Sequence, residues 1–255
     1  MTDKAAARIK RGQTSTQDDL LCASLSDPEL CELLNDLDAK KRSSAARLLG
    51  SRKSWQAVPL LCERLKIETA LYTRLAICTA LGAVGEPAIP ELIGLLGKIG
   101  NNQHHELPQN GFYKKSYPLL KIGVPALKPL EQVLLDGERA SALEAVDAIG
   151  HIAFVEADLS SESALLAMVQ KVQSDQVMLW KIVRAFQAFP TSRVRILLGS
   201  MICSHPRPEL RWEAVRSLGQ HGQPVSDEIR SHAQQDSSLE VREMARLFLN
   251  GSARR

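Results

Sequence analysis

Apolar residues along the chain recur at the three- and four-residue spacing of a helix face and then break at Gly or Pro, so the pattern predicts short helices joined by tight turns. Pro28 after Asp27 and Pro87 after Glu86 stand where a helix begins, because an oxygen-bearing cap and a ring that needs no amide donor suit the first turn. The glycines are read as the positive-φ residues that end helices. Runs of Val, Ile, Thr and Tyr at strand spacing are absent, which leaves an all-α chain.

The pattern also repeats. Residues 42–61, RSSAARLLGSRKSWQAVPLL, and 74–92, RLAICTALGAVGEPAIPEL, share an Arg, a run of small residues, Leu-Gly and a Pro-containing helix start, with Leu49-Gly50 and Leu81-Gly82 offset by 32. IGVPALKPL at 122–130 follows VGEPAIPEL at 84–92, and RASALEAVDAIG at 139–150 and RWEAVRSLGQHG at 211–222 continue the design. WKIVRAF at 180–186 matches WEAVRSL at 212–218 at the same offset, and VREMARLFLN at 241–250 closes a series of about seven units. Neither helix of one unit can bury its apolar stripe alone, so neighbouring units must stack and share a continuous core.

The Arg, small-residue helix, Leu-Gly and Ala-Val-Pro-Leu-Leu design resembles the HEAT repeats, in the short variant also seen in phycobilisome bilin lyases, over about residues 28 to 250. The resemblance implies an all-α, right-handed α-α superhelix of six to seven helical pairs. Residues 1–27 form an N-terminal segment, flexible or capping, 28–250 the repeat domain with a longer loop at 100–118, and 251–255 a tail. In HEAT families an acid before the second helix and an Arg within it form a ladder between units. Asp36 with Arg42, Glu68 with Arg74 and Asp236 with Arg242 keep a six-residue spacing. Val133 precedes Arg139 and His205 precedes Arg211, while Phe112 stands where the third unit's Arg would fall, so the middle units read as degenerate.

A hydrophobic content of 44% is ample for a core, and 4% aromatics favours helices packed through small side chains. The net charge of +3 is too small to announce a nucleic-acid binder. Cys22, Cys31, Cys62, Cys78 and Cys203 include no Cys-x-x-Cys pair and read as free thiols of a reducing cytosol. No signal peptide or membrane-spanning run is visible, so a soluble cytoplasmic protein with no membrane partner, cofactor or structural metal is expected.

Candidate sites lie in three places. In the 100–118 loop, His104, His105 and Glu106 lack the i,i+4 spacing that aims two imidazoles at one metal, and a solvated loop is the better reading. Phe112, Tyr113 and Tyr117 beside Lys114 and Lys115 suit a protein or nucleic-acid surface, or close the gap left by a defective repeat. Trp180 with Arg184 and Trp212 with Arg216 share helix faces one unit apart; they form either a partner-binding patch or indoles that fill grooves under their arginines. Lys40, Lys41, Arg42, Arg47, Arg52 and Lys53 fall in fourteen residues without a carboxylate, a candidate basic patch. Arg42 is assigned to the ladder.

Phosphate-loop, nucleophile-elbow and metalloprotease signatures are absent, so catalysis is not expected. A non-catalytic scaffold that binds another protein through its curved surface is the leading expectation. A nucleic-acid binder with a glycosylase-like groove and a bilin-lyase-like protein are the alternatives, both by analogy of fold.

Overall fold

The computed structural model describes residues 3–98 and 118–249. By its internal contacts the chain divides into two units, the first comprising 3–98 and 118–129 of the described residues and the second 130–249. Among the described residues there is no strand.

The first unit holds α1 (Asp3–Lys10), α2 (Thr16–Cys22), α3 (Asp27–Leu33), α4 (Ala39–Ser51), α5 (Val58–Ile67), α6 (Leu71–Val84), α7 (Ile89–Leu95) and α8 (Pro118–Ile122). After α9 (Leu127–Asp136), the second unit continues with α10 (Arg139–Glu156), α11 (Glu162–Lys171), α12 (Gln176–Ala185), α13 (Ser192–Ser204), α14 (Pro208–Gln220), α15 (Asp227–Gln234) and α16 (Leu239–Phe248). From α3 onward these make seven pairs in chain order, as the repeat period requires. Even-numbered helices pack side by side, α2 on α4, α4 on α6 and α6 on α8 in one unit, and α10 on α12, α12 on α14 and α14 on α16 in the other.

Local chemistry sets the ends of these helices. Ser26 caps α3 through a box with Glu29, whose carboxylate accepts the Ser26 N–H at 2.7 Å, and Pro28 occupies the first turn. Tight 3-10 turns at Trp55–Ala57, Glu86–Ala88 and Val124–Ala126 lead into α5, α7 and α9.

The Leu-Gly glycines do something other than end helices. Gly50, Gly82, Gly150 and Gly219 lie inside α4, α6, α10 and α14, and the positive φ values belong instead to residues such as Gly85 and Gly123. A Cβ on Gly50 would sit 2.6 Å from Ala80 Cα, and one on Gly150 2.9 Å from Ala185 Cα. Gly82 and Gly219 meet Lys121 and Phe248 in the same way. The missing side chain lets one even-numbered helix touch the next, and that contact is found at α4, α6, α10 and α14.

The ladder also differs from its expected form, for a physical reason. Arg42 donates Nε and Nη2 to the Glu68 carboxylate of the following pair at 2.8 and 2.9 Å, and Nη1 to the carbonyls of Asp36 and Leu37. For Arg42, Arg74, Arg211 and Arg242 the residue six positions before the Arg thus supplies a backbone oxygen, which any side chain permits. Arg211 accordingly binds the His205 carbonyl and reaches Asp236 of the next pair at 2.7 Å, and Arg139 reaches Asp175. The middle units read as degenerate from Val133 and His205 therefore keep their joint. Among the described residues no single helix is long and apolar enough to cross a membrane.

Candidate binding groove

A hollow lies where α4 and α6 approach closely. Gly50, Ala76 and Ala80 offer little side chain, while Tyr72, Leu75, Thr79 and Arg47 rise around them, bounding a groove of about 550 Å³. Leu75 stays 42% exposed there.

The link between α1 and α2 forms part of the wall. Ala70 gives α6 no side-chain cap, and the Arg11 carbonyl takes that place by accepting the Tyr72 N–H at 3.0 Å. The Arg11 guanidinium lies over the Tyr72 ring, 5.9 Å from its centroid. Gly12 follows at φ +86°, buried so deeply that a Cβ would come within 2.4 Å of Thr73 Oγ1. Beneath it Thr73 donates to the Ala39 carbonyl at 3.1 Å and the Ser43 and Thr73 hydroxyls bond to each other at 2.9 Å.

The expected basic patch is corrected by what folds against it. Lys40 meets Asp18 at 2.5 Å, Lys41 meets Asp36 at 3.0 Å, and Arg47 and Arg52 meet Asp19 and Asp27 at 2.8 Å each. The hydrogen bond from Lys40, helped by Ser15, holds the Asp18 carboxyl down to about 2. Lys53 is exposed at positive φ just after α4, a single cation and not a patch. Burial alone would raise the Glu68 carboxyl, but hydrogen bonds from Arg42, the Ala70 N–H and Arg64 outweigh it and hold the group at about 2.

Of the two readings open for the tryptophan constellation, its first pair takes the groove-filling one. Trp180 is 2% exposed, with Arg184 stacked over it at 5.5 Å from the centroid, so this indole belongs to the core and cannot present itself to a partner. Trp212 is half-buried. Arg216 does not repeat the Arg184 arrangement: its Nε donates to Glu213 at 2.6 Å and its Nη1 to Gln187 at 2.9 Å, so it joins α14 to the turn after α12. Beside it, Lys181 is buried and bonded to Asp147 of α10 at 2.5 Å. Phe112, Tyr113, Lys114, Lys115 and Tyr117, like His104, His105 and Glu106, lie outside the described residues.

A second hollow of about 420 Å³ is lined by Cys203, His205, His232 and Asp236. Two of its polar groups are already engaged, Asp236 by Arg211 and the Ser238 N–H, and His205 Nδ1 by the Arg207 N–H. Among the described residues no three or more of His, Cys, Asp and Glu gather as a metal-ligand set. All five cysteines are free, and burial pushes the Cys62 thiol up to about 12.

The repeat geometry of α3 to α7 agrees with a family model: residues 28–99 match HEAT repeats. That segment is where the chain is similar to the HEAT-repeat family. Beyond residue 99, α10 and α14 each carry a packing glycine, Gly150 and Gly219, and an Arg–carboxylate joint, Arg139 with Asp175 and Arg211 with Asp236. Human deoxyhypusine hydroxylase in complex with glycerol is similar in structure at 18% identity and a TM-score of 0.38, over 95% of this chain and 92% of that one. A designed armadillo repeat protein is similar at 17% identity and a TM-score of 0.41, over 88% of this chain and 98% of the other. No curated protein matches the chain.

The groove escaped sequence reading, since its small residues looked like ordinary helix filling. The one available signal was the spacing of Ala76, Ala80 and Ala83 along α6, opposite the Gly50-Ser51 pair.

Proposed function

We propose that the first unit is a non-catalytic protein-binding scaffold whose α4–α6 groove takes an extended segment of a partner protein. The groove itself carries this reading: the small residues Gly50, Ala76 and Ala80 leave room between Tyr72, Thr79 and Arg47, and Leu75 offers apolar surface that water otherwise covers. A groove already held rigid by helix packing binds without an ordering cost of its own. The pairing of Lys40, Lys41, Arg47 and Arg52 with carboxylates weighs against a nucleic-acid track, which needs cations free to meet phosphates.

The test is affinity capture with the intact chain and with a Leu75→Glu, Ala83→Glu variant, both sites being exposed. A captured protein lost by about tenfold or more from the variant, with an unchanged melting curve, supports the groove. Identical protein captured by both chains removes it, and recovery of nucleic acid in place of protein overturns the partner class.

A further inference from the structure

α10 outruns its counterparts. α4, α6 and α14 stop one or two residues past their packing glycines, Gly50, Gly82 and Gly219, whereas α10 continues six residues past Gly150 to Glu156. The extra length is not fully buried. Ile152 and Ala153 turn into the core, but Phe154 is 55% exposed and Val155 61%. Leu159, just beyond the left-handed cap at Ala157, is 43% exposed.

Along the sequence the charge around this tip is one-sided. Residues 140–170 contain five carboxylates and no Lys or Arg. Three of the five are drawn inward: Glu144 is buried, Asp147 holds Lys181, and Glu162 accepts the Thr191 hydroxyl at 3.0 Å. Glu156 stays exposed, and Asp158 is half-exposed, accepting the Ser160 N–H at 2.8 Å. An aromatic and two aliphatic side chains therefore stand in water beside two carboxylates.

We propose that this tip of α10 is a docking surface for a basic amphipathic helix of a partner protein. The partner's apolar stripe covers Phe154, Val155 and Leu159, and its Lys or Arg side chains meet Glu156 and Asp158. An acidic helix is disfavoured because its charges would face these two carboxylates. The surface lies in the second unit and stands independently of the α4–α6 groove.

The test is fluorescence anisotropy of the intact chain against a labelled Leu/Lys amphipathic helical peptide, with the Leu/Glu peptide of the same pattern as control. Phe154→Asp removes the apolar anchor while adding negative charge, so charge attraction alone predicts tighter binding and docking predicts loss. The expected result is a loss of about tenfold or more in Phe154→Asp and a smaller loss in Glu156→Lys, with no binding of the Leu/Glu peptide. Val155→Asp gives the same reading should Phe154→Asp fold poorly, as judged by its melting curve. The proposal is overturned if the Leu/Lys peptide does not bind, if both apolar variants bind it as wild type does, or if the Leu/Glu peptide binds equally. Sedimentation showing that the tip closes between two copies, in a dimer that Phe154→Asp dissociates, would overturn it in favour of self-association.

Discussion

Arg42 satisfies two neighbours at once: its fork grips the Glu68 carboxylate of the next repeat while its remaining amino group holds the carbonyls that lead into its own helix. Both charges are nearly out of water, at 9% and 0% side-chain exposure. Removing one strands the other, so Glu68→Ala should cost about 3–5 kcal/mol in urea unfolding, far more than loss of an exposed pair such as Lys66 with Glu63. The pH dependence has a definite sign. The folded Glu68 carboxyl sits at about 2 against an ordinary 4.5, so its contribution is present above about 4.5 and is lost as pH falls from there through about 2. The depression corresponds to roughly 3 kcal/mol. Glu68→Gln should therefore flatten the acid limb of a stability-against-pH curve, and an acid limb as steep as wild type's would show that the joint contributes little.

At the scale of the helix, the sequence disclosed what periodicity records and hid what depends on contact. Helix class, pairing and period were legible because apolar spacing and the Leu-Gly pattern repeat along the chain. The use of Leu-Gly was not: a glycine that ends a helix and one that lets another helix approach look identical until Ala80 is seen against Gly50. The basic run at 40–53 misled for a related reason, because its carboxylates arrive from α2, α3 and the residues between α3 and α4. Trp180 and Trp212 shared a spacing but not an environment, since burial depends on neighbours that spacing does not encode. Two substitutions test these readings. Gly50→Val should lower stability by about 1–3 kcal/mol by forcing α4 off Ala80, and a variant that melts with wild type would show that the helices yield freely. Gly12→Ala combines a positive φ with a 2.4 Å clash on Thr73. It should free the N-terminal arm, exposing Arg8, Lys10 and Arg11 to trypsin while the rest of the chain keeps its helical signal. Unchanged tryptic resistance there would mean that the arm is held by something other than its fit at Gly12.

Across the whole molecule, stability in a repeat protein is a sum of local terms, so protection should follow how many neighbours each helix has. α12 buries eight of its ten residues, Lys181 and Trp180 among them, between α10 and α14. At the two ends the packing thins. α2 buries none of its residues and α15 only Ala233, and α1 is exposed along nearly all of its described side chains. Their caps hold the ends locally: Ser15 and Asp18 close a box on α2, and Ser226 accepts the Ile229 N–H at the start of α15. A cap satisfies backbone donors but buries no apolar surface, so it slows fraying without preventing it. Amide exchange should accordingly run from the ends inward, with α1, α2 and α15 losing protection first and α12 last, by about a hundredfold or more in protection factor, on the order of 3 kcal/mol of opening free energy. Exchange followed by peptide mass spectrometry resolves these helices separately. Equal protection in α2, α12 and α15 would show that the chain opens as one cooperative unit, and the description of its stability as a chain of neighbour contacts would then fail.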